Sequence, residues 1–111
     1  MSKREPRLLI DDIIESSSKI LTYTKNLSLN EFINNSLIVD AVIRNMLIIG
    51  EAANRLPAEI KENNPQINWQ RIRGFKNRIV HDYFGIDFTI IWQVKEIFLP
   101  DLVTKLSALQ L

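Results

Sequence analysis

A chain of 111 residues, 46% apolar and with three glycines, has the length for one domain (residues 1–111) around one hydrophobic core, and a folded rather than a disordered composition. It contains no cysteine and one histidine, which excludes a disulfide framework, a cysteine-based zinc site and a His-rich metal site within one protomer; no metal or other cofactor is expected. A net charge of +1 is too small to coat nucleic acid by bulk charge, so an anionic ligand has to be met by a local cluster.

The first six residues, Met-Ser-Lys-Arg-Glu-Pro, lead into an amphipathic segment and lack the apolar core of a signal peptide. No apolar run approaches the ~20 residues of a membrane span, so the expectation is a cytoplasmic protein without a membrane partner. Leu8, Leu9, Ile13, Ile14, Ile20 and Leu21, with Asp11 and Asp12 among them, predict a first helix over roughly residues 6 to 25. Ser28 with Glu31 three positions on is a capping-box pattern. From there the spacing predicts one long helix to about Arg55, stopped by Pro57. Its apolar residues (Phe32, Leu37, Val42, Met46, Ile49 and Ala53 among them) spread round much of the circumference, which suits a central helix buried on more than one side.

Residues 57 to 67 read as a connector with room for one short helical turn, and Asn63-Asn64-Pro65 marks a break. Asn68 is placed to cap a third helix carrying Trp69, Ile72, Phe75, Ile79 and Val80, with Gly85 just past its end. Asp87 is placed to cap a fourth, from Phe88 to about Leu109, which Pro100 should kink or divide. Four main helices with short links make an all-α, antiparallel bundle of four to five helices. No strand, internal repeat or low-complexity segment interrupts the pattern.

The residues with most chemistry lie in Lys-Asn-Arg-Ile-Val-His-Asp-Tyr, positions 76 to 83. His81 can take and give a proton near neutrality, and Lys76 and Arg78 can stabilise charge developing on a phosphate. From Arg71 to His81 stand Arg71, Arg73, Lys76 and Arg78 with no acidic residue. That is either a solvated helix face or a small anionic site; likewise a lone histidine near a helix end often only caps a carbonyl. At ~100° per residue, Arg78 and Asn77 share the face of His81, whereas Lys76 is about 140° and Tyr83 about 200° away. Either the helix frays by His81 or the site is shared between two chains. Cleaving RNA through its own 2′-hydroxyl needs one group to remove that proton and another to protonate the leaving 5′-oxygen. One chain supplies one imidazole; a C2 dimer supplies two, so a homodimer is expected of such an enzyme.

Asp40, Arg44 and Glu51 share a face of the long helix. They are either an ion-pair stripe or the charged wall of the same cleft, positioning Arg71 or Arg78. Trp69 and Trp92 are read as core or interface anchors. There is no Walker loop, Gly-rich dinucleotide motif, metal-spaced carboxylate pair, or serine or cysteine nucleophile with a base.

The block Lys76-Asn77-Arg78-Ile79-Val80-His81-Asp82-Tyr83-Phe84, followed by Gly85-Ile86-Asp87, resembles the motif of the HEPN superfamily: arginine, a short spacer, histidine, any residue, tyrosine. The closest likeness is to the small HepT-like toxins of HepT/MntA modules. Asp40-Ala41-Val42-Ile43-Arg44-Asn45, Ile49-Gly50-Glu51-Ala52, Asn68-Trp69 and Trp92 fit the same pattern, so the resemblance spans nearly the whole chain. One departure stands out: Lys76 occupies the place of the motif arginine, keeping the charge without the planar fork. Either Lys76 substitutes, or Arg73 or Arg78 reaches in, or catalysis is weakened or lost.

The resemblance implies a metal-independent endoribonuclease, the toxin of a type VII-like toxin–antitoxin module, with its site at a homodimer interface. His81, Lys76, Arg78 and Tyr83 would be the catalytic set, and Arg71, Arg73, Asn77 and Arg44 the RNA or phosphate contacts. The implied partner is a minimal nucleotidyltransferase antitoxin that can transfer AMP to Tyr83. The alternative is a non-catalytic helical dimer that binds such a partner, or a nucleotide.

Overall fold

Proline in the first turn, where a missing N–H costs nothing, opens α1, which runs Pro6–Tyr23 in the computed structural model of the protein; the residues described are 4–81 and 85–110. Leu9, Ile10, Ile13 and Ile20 are buried, and this stripe packs along α3 (Ser36–Arg55). The helix ends slightly before the expected residue 25. The Thr24 hydroxyl donates back to the Ile20 carbonyl at 2.8 Å, and Asn26 turns the chain with φ of 65°, a left-handed conformation that asparagine tolerates better than most residues.

The capping box forms. Ser28 Oγ accepts from the Glu31 N–H at 3.1 Å and Glu31 Oε1 from the Ser28 N–H at 2.9 Å, starting α2 (Leu29–Ile33). The single helix expected from here to Arg55 is instead two. Asn34 closes α2, its Nδ2 donating to the Asn30 carbonyl. Asn35 leaves helical geometry and caps α3, its Oδ1 accepting from the Ile38 N–H at 3.1 Å. Asparagine competes well for such a boundary because its side chain satisfies a backbone group that a helix start leaves orphaned. The break lets Phe32 pack 5.2 Å from Trp92, ring centroid to ring centroid.

α3 is the central helix, touching α1, α2 and α5 (Trp69–His81). It buries Val39, Val42, Ile43, Met46, Ile49 and Gly50, as its broad apolar pattern requires. The connector holds one short helix, α4 (Ala58–Glu62), and Lys61 Nζ donates to the Ala53 carbonyl near the C-terminal end of α3. Asn68 caps α5 by accepting from the Arg71 N–H at 3.0 Å, and Asp87 caps α6 (Phe88–Gln93) by accepting from the Thr89 N–H at 2.9 Å.

From α6 the helix widens into a π-helical turn over Val94–Phe98 and continues as α7 (Leu99–Ser107). The Leu99 N–H reaches back to the Val94 carbonyl, five residues away. Pro100 has no N–H and its ring crowds the carbonyl four residues back; a widened turn before it relieves that crowding without severing the helix. Leu99, Leu102 and Leu106 are buried and α7 closes on α1. Among the described residues there is no strand, and no helix is long and apolar enough to cross a membrane. The fold is the all-α bundle expected.

Candidate active site

α5 carries four cations in eight residues, and helical geometry sends them in different directions. Lys76 faces α3, where its ammonium donates to Glu51 Oε2 at 3.0 Å. Its stem lies on Gly50: a Cβ there would stand 2.5 Å from Lys76 Cβ and 2.7–2.8 Å from Cγ and Cδ. The Lys76 side chain is only 23% exposed. Glu51 uses its other oxygen to accept from Arg55 Nε, also at 3.0 Å. Gly50 and Glu51 therefore act together, the glycine admitting the lysine stem and the carboxylate holding its charge.

The hydrogen bond from Lys76 foremost, and that from Arg55 next, hold the Glu51 carboxyl below the usual glutamate range. A depressed carboxyl stabilises the fold above its unfolded pKa and loses that contribution as pH falls through the lower folded value. Glu51→Gln should therefore lower the melting temperature slightly at neutral pH and flatten part of the acid limb, the variant converging on the parent protein at the acid end. Glu51 is 47% exposed, so solvent screening keeps the effect small; an acid limb identical to that of the parent protein would contradict the pairing.

Asp40, Arg44 and Glu51 line one wall of an open groove of about 550 Å³ between α1 and α3, so the shared face is real. Of the two readings, Glu51 follows the ion-pair one, since it pairs with Arg55 and Lys76 and not with Arg71 or Arg78. Arg71 instead lies over the Phe98 ring, 5.1 Å from its centroid. Arg78 lines a narrow cleft with Ile86, Asp87 and Ile90 on the other side of α5. Arg73 and Asn77 join Lys76 and Trp69 along a second groove of about 470 Å³.

His81 is exposed, the last residue of α5. Tyr83, the expected orienting and modification residue, lies outside the described residues. One protomer thus presents an exposed imidazole, an ammonium tied to a carboxylate, and guanidinium groups on several faces. Acid–base chemistry and anion binding are both within reach of this set. Sequence reasoning missed the Gly50–Lys76 approach, although a glycine in the middle of a long helix is the signal for such a contact.

Residues 13–109 match the family described as Ribonuclease HepT-like. A protein of Methanocaldococcus jannaschii named "Putative RNase MJ1380" is 40% identical over 94 residues, covering 85% of this chain and 86% of its own. "Putative RNase MJ1216" of the same organism is 35% identical over 102 residues, 92% of this chain and 84% of its own. "Probable ribonuclease HepT" of Thermococcus cleftensis is 30% identical over 108 residues, 97% and 98% of the two chains. No solved structure matches. The family match begins inside α1 and runs past the end of α7, taking in most of the bundle and all of α5, which ends at His81, and the chain therefore belongs to the Ribonuclease HepT-like family.

Proposed function

We propose that the protein is a metal-independent endoribonuclease that works as a homodimer, cutting RNA at a site to which both copies contribute. The observation that carries this reading is the single imidazole of the chain, exposed at the end of α5 in a member of a ribonuclease family. One His81, neutral, takes the proton of a ribose 2′-hydroxyl as its oxygen attacks the adjacent phosphorus. The other His81, protonated, gives its proton to the departing 5′-oxygen. The products are a 2′,3′-cyclic phosphate and a free 5′-hydroxyl. Lys76 and Arg78 stabilise the extra negative charge on phosphorus, Asn77 holds a backbone or ribose contact, and Tyr83 orients the reacting groups.

The same reading makes the protein the toxin of a two-gene module whose antitoxin is a small nucleotidyltransferase. Transfer of AMP from a nucleoside triphosphate to the Tyr83 phenol oxygen, with release of pyrophosphate, would place bulk and negative charge beside His81 and repel an RNA phosphate. The test is incubation of purified protein, shown by mass to be unmodified at Tyr83, with cellular RNA in EDTA. Fragments ending in 2′,3′-cyclic phosphate are expected. RNA that stays intact would remove the catalytic assignment.

One observation favours a second reading, a non-catalytic helical dimer that binds a nucleotidyltransferase partner or a nucleotide. The charge of Lys76 is answered within its own protomer by Glu51 at 3.0 Å, which leaves less of it for a phosphate. Lys76→Arg separates the two. In an active ribonuclease, the cleavage rate should stay within about tenfold of the parent, since the charge is kept and only the fork is added. Cleavage that appears only in Lys76→Arg would establish the binding module.

A further inference from the structure

The groove of about 470 Å³ bounded by the C-terminal half of α3, by α4 and by α5 has features that acid–base chemistry at His81 does not use. Small residues, Ala53 and Ala58, line it, while Gly50 is covered by the stem of Lys76. Trp69 lines it as well. The indole is part-buried against the core, and its Nε1 donates to the Asn64 carbonyl at 3.1 Å, which fixes the ring plane before any ligand arrives. Among the described residues that line the groove are Lys61, Arg73 and Lys76 and one carboxylate, Glu62; Lys76 is answered by Glu51 and Lys61 donates to the Ala53 carbonyl, so the positive character of the groove rests chiefly on Arg73. Arg73 is exposed, as are the amide side chains of Gln70 and Asn77.

The groove also leads somewhere. Trp69, Arg73, Asn77 and His81 are spaced four apart on α5, a ladder that drifts by about 40° per step round the helix. At 1.5 Å per residue, Asn77, Arg73 and Trp69 lie about 6, 12 and 18 Å along the axis from His81. An aromatic ring, an exposed guanidinium and amide groups, on a path that winds about 120° round α5 from His81 to Trp69, are elements that hold single-stranded nucleic acid.

We propose that this groove is a subsite for an unpaired nucleotide more than one position along the strand from the scissile linkage, its base against Trp69 and its phosphate on Arg73. The proposal rests on the ribonuclease reading for its substrate class and adds where the strand lies. It makes the preferred substrate single-stranded, because a base held in a duplex cannot reach the indole.

The test uses a fluorescein-labelled six-nucleotide RNA with every ribose 2′-O-methylated, which has no hydroxyl to attack and so reports binding alone. In a Trp92→Phe variant, Trp69 is the sole tryptophan and its emission reports the groove. Saturable quenching of Trp69 by the unlabelled hexamer is expected, together with about tenfold weaker binding of the labelled hexamer to Arg73→Ala by fluorescence anisotropy. No binding, binding without a change in Trp69 emission, or equal binding to Arg73→Ala would each overturn the subsite. Quenching by AMP as strong as that by the hexamer would overturn the assignment to an RNA strand. Cleavage in EDTA is read separately, so the subsite can fail while the ribonuclease stands, and the reverse.

Discussion

His81→Ala is expected to abolish RNA cleavage while leaving the melting temperature nearly unchanged. The chain has one histidine, so no second imidazole can take over the proton transfers. In the proposed dimer a single substitution removes both the acid and the base. General acid–base catalysis contributes about 10² to 10⁴ in rate, and losing both partners at once places the expected loss at the upper end of that range. The side chain is exposed at the helix end, where a substitution usually changes stability by no more than about 0.5 kcal/mol. The measurements are the rate of appearance of 2′,3′-cyclic ends in EDTA and a thermal melt of the same sample. Cleavage at the parental rate would remove His81 from the mechanism, whatever the fold of the variant.

Gly50→Ala is expected to destabilise the fold. Alanine is ordinarily the better helix residue by about 1 kcal/mol, so an unhindered site would gain stability. Here the new methyl would stand 2.5 Å from Lys76 Cβ, an atom fixed to the α5 backbone and unable to swing aside as the ammonium end of the chain can. The helices must part, and overpacking of this kind costs about 1–3 kcal/mol. A net loss of up to about 2 kcal/mol follows, lowering the melting temperature by up to about 10 °C. Lys76→Ala keeps that Cβ, so Gly50→Ala should remain destabilising in the Lys76→Ala background. A variant that melts at or above the parent temperature would show that α3 and α5 do not approach as described.

The elements legible in the sequence are those whose cause is local. Ser28 with Glu31, Asn68 and Asp87 each satisfy backbone groups within three residues of themselves, so spacing alone was enough to place them. The break at Asn34–Asn35 was hidden because apolar residues continue across it, Phe32 and Ile33 on one side and Leu37 and Ile38 on the other. Pro100 predicts a kink or a division, and a widened turn over Val94–Phe98 divides α6 from α7; the form of that division is not readable from the proline alone, since Phe98 and Leu99 beside it are both buried. Glu51 was placed on the correct face with Asp40 and Arg44, but periodicity cannot say which neighbouring helix a face meets. Only the approach of α5 at Gly50 decides that Lys76, and not Arg71 or Arg78, is the partner. His81 stands out in the sequence for a different reason: a residue type that occurs once leaves no competing choice for the proposed acid–base group.

The contact between α1 and α7 bears on the timing of assembly. α1 buries its stripe partly on α3, a short way along the chain, but also on a helix that begins at Leu99. During synthesis at about 5–20 residues per second, the first helix waits several seconds for that partner, with part of its apolar face uncovered. Chain separations of this length are also what slow folding most, because the loop must close before the contact stabilises anything. A ribosome-bound intermediate ending near α5 would therefore hold His81 without the helix that closes the bundle, and ribonuclease activity should arise only after α7 has left the exit tunnel.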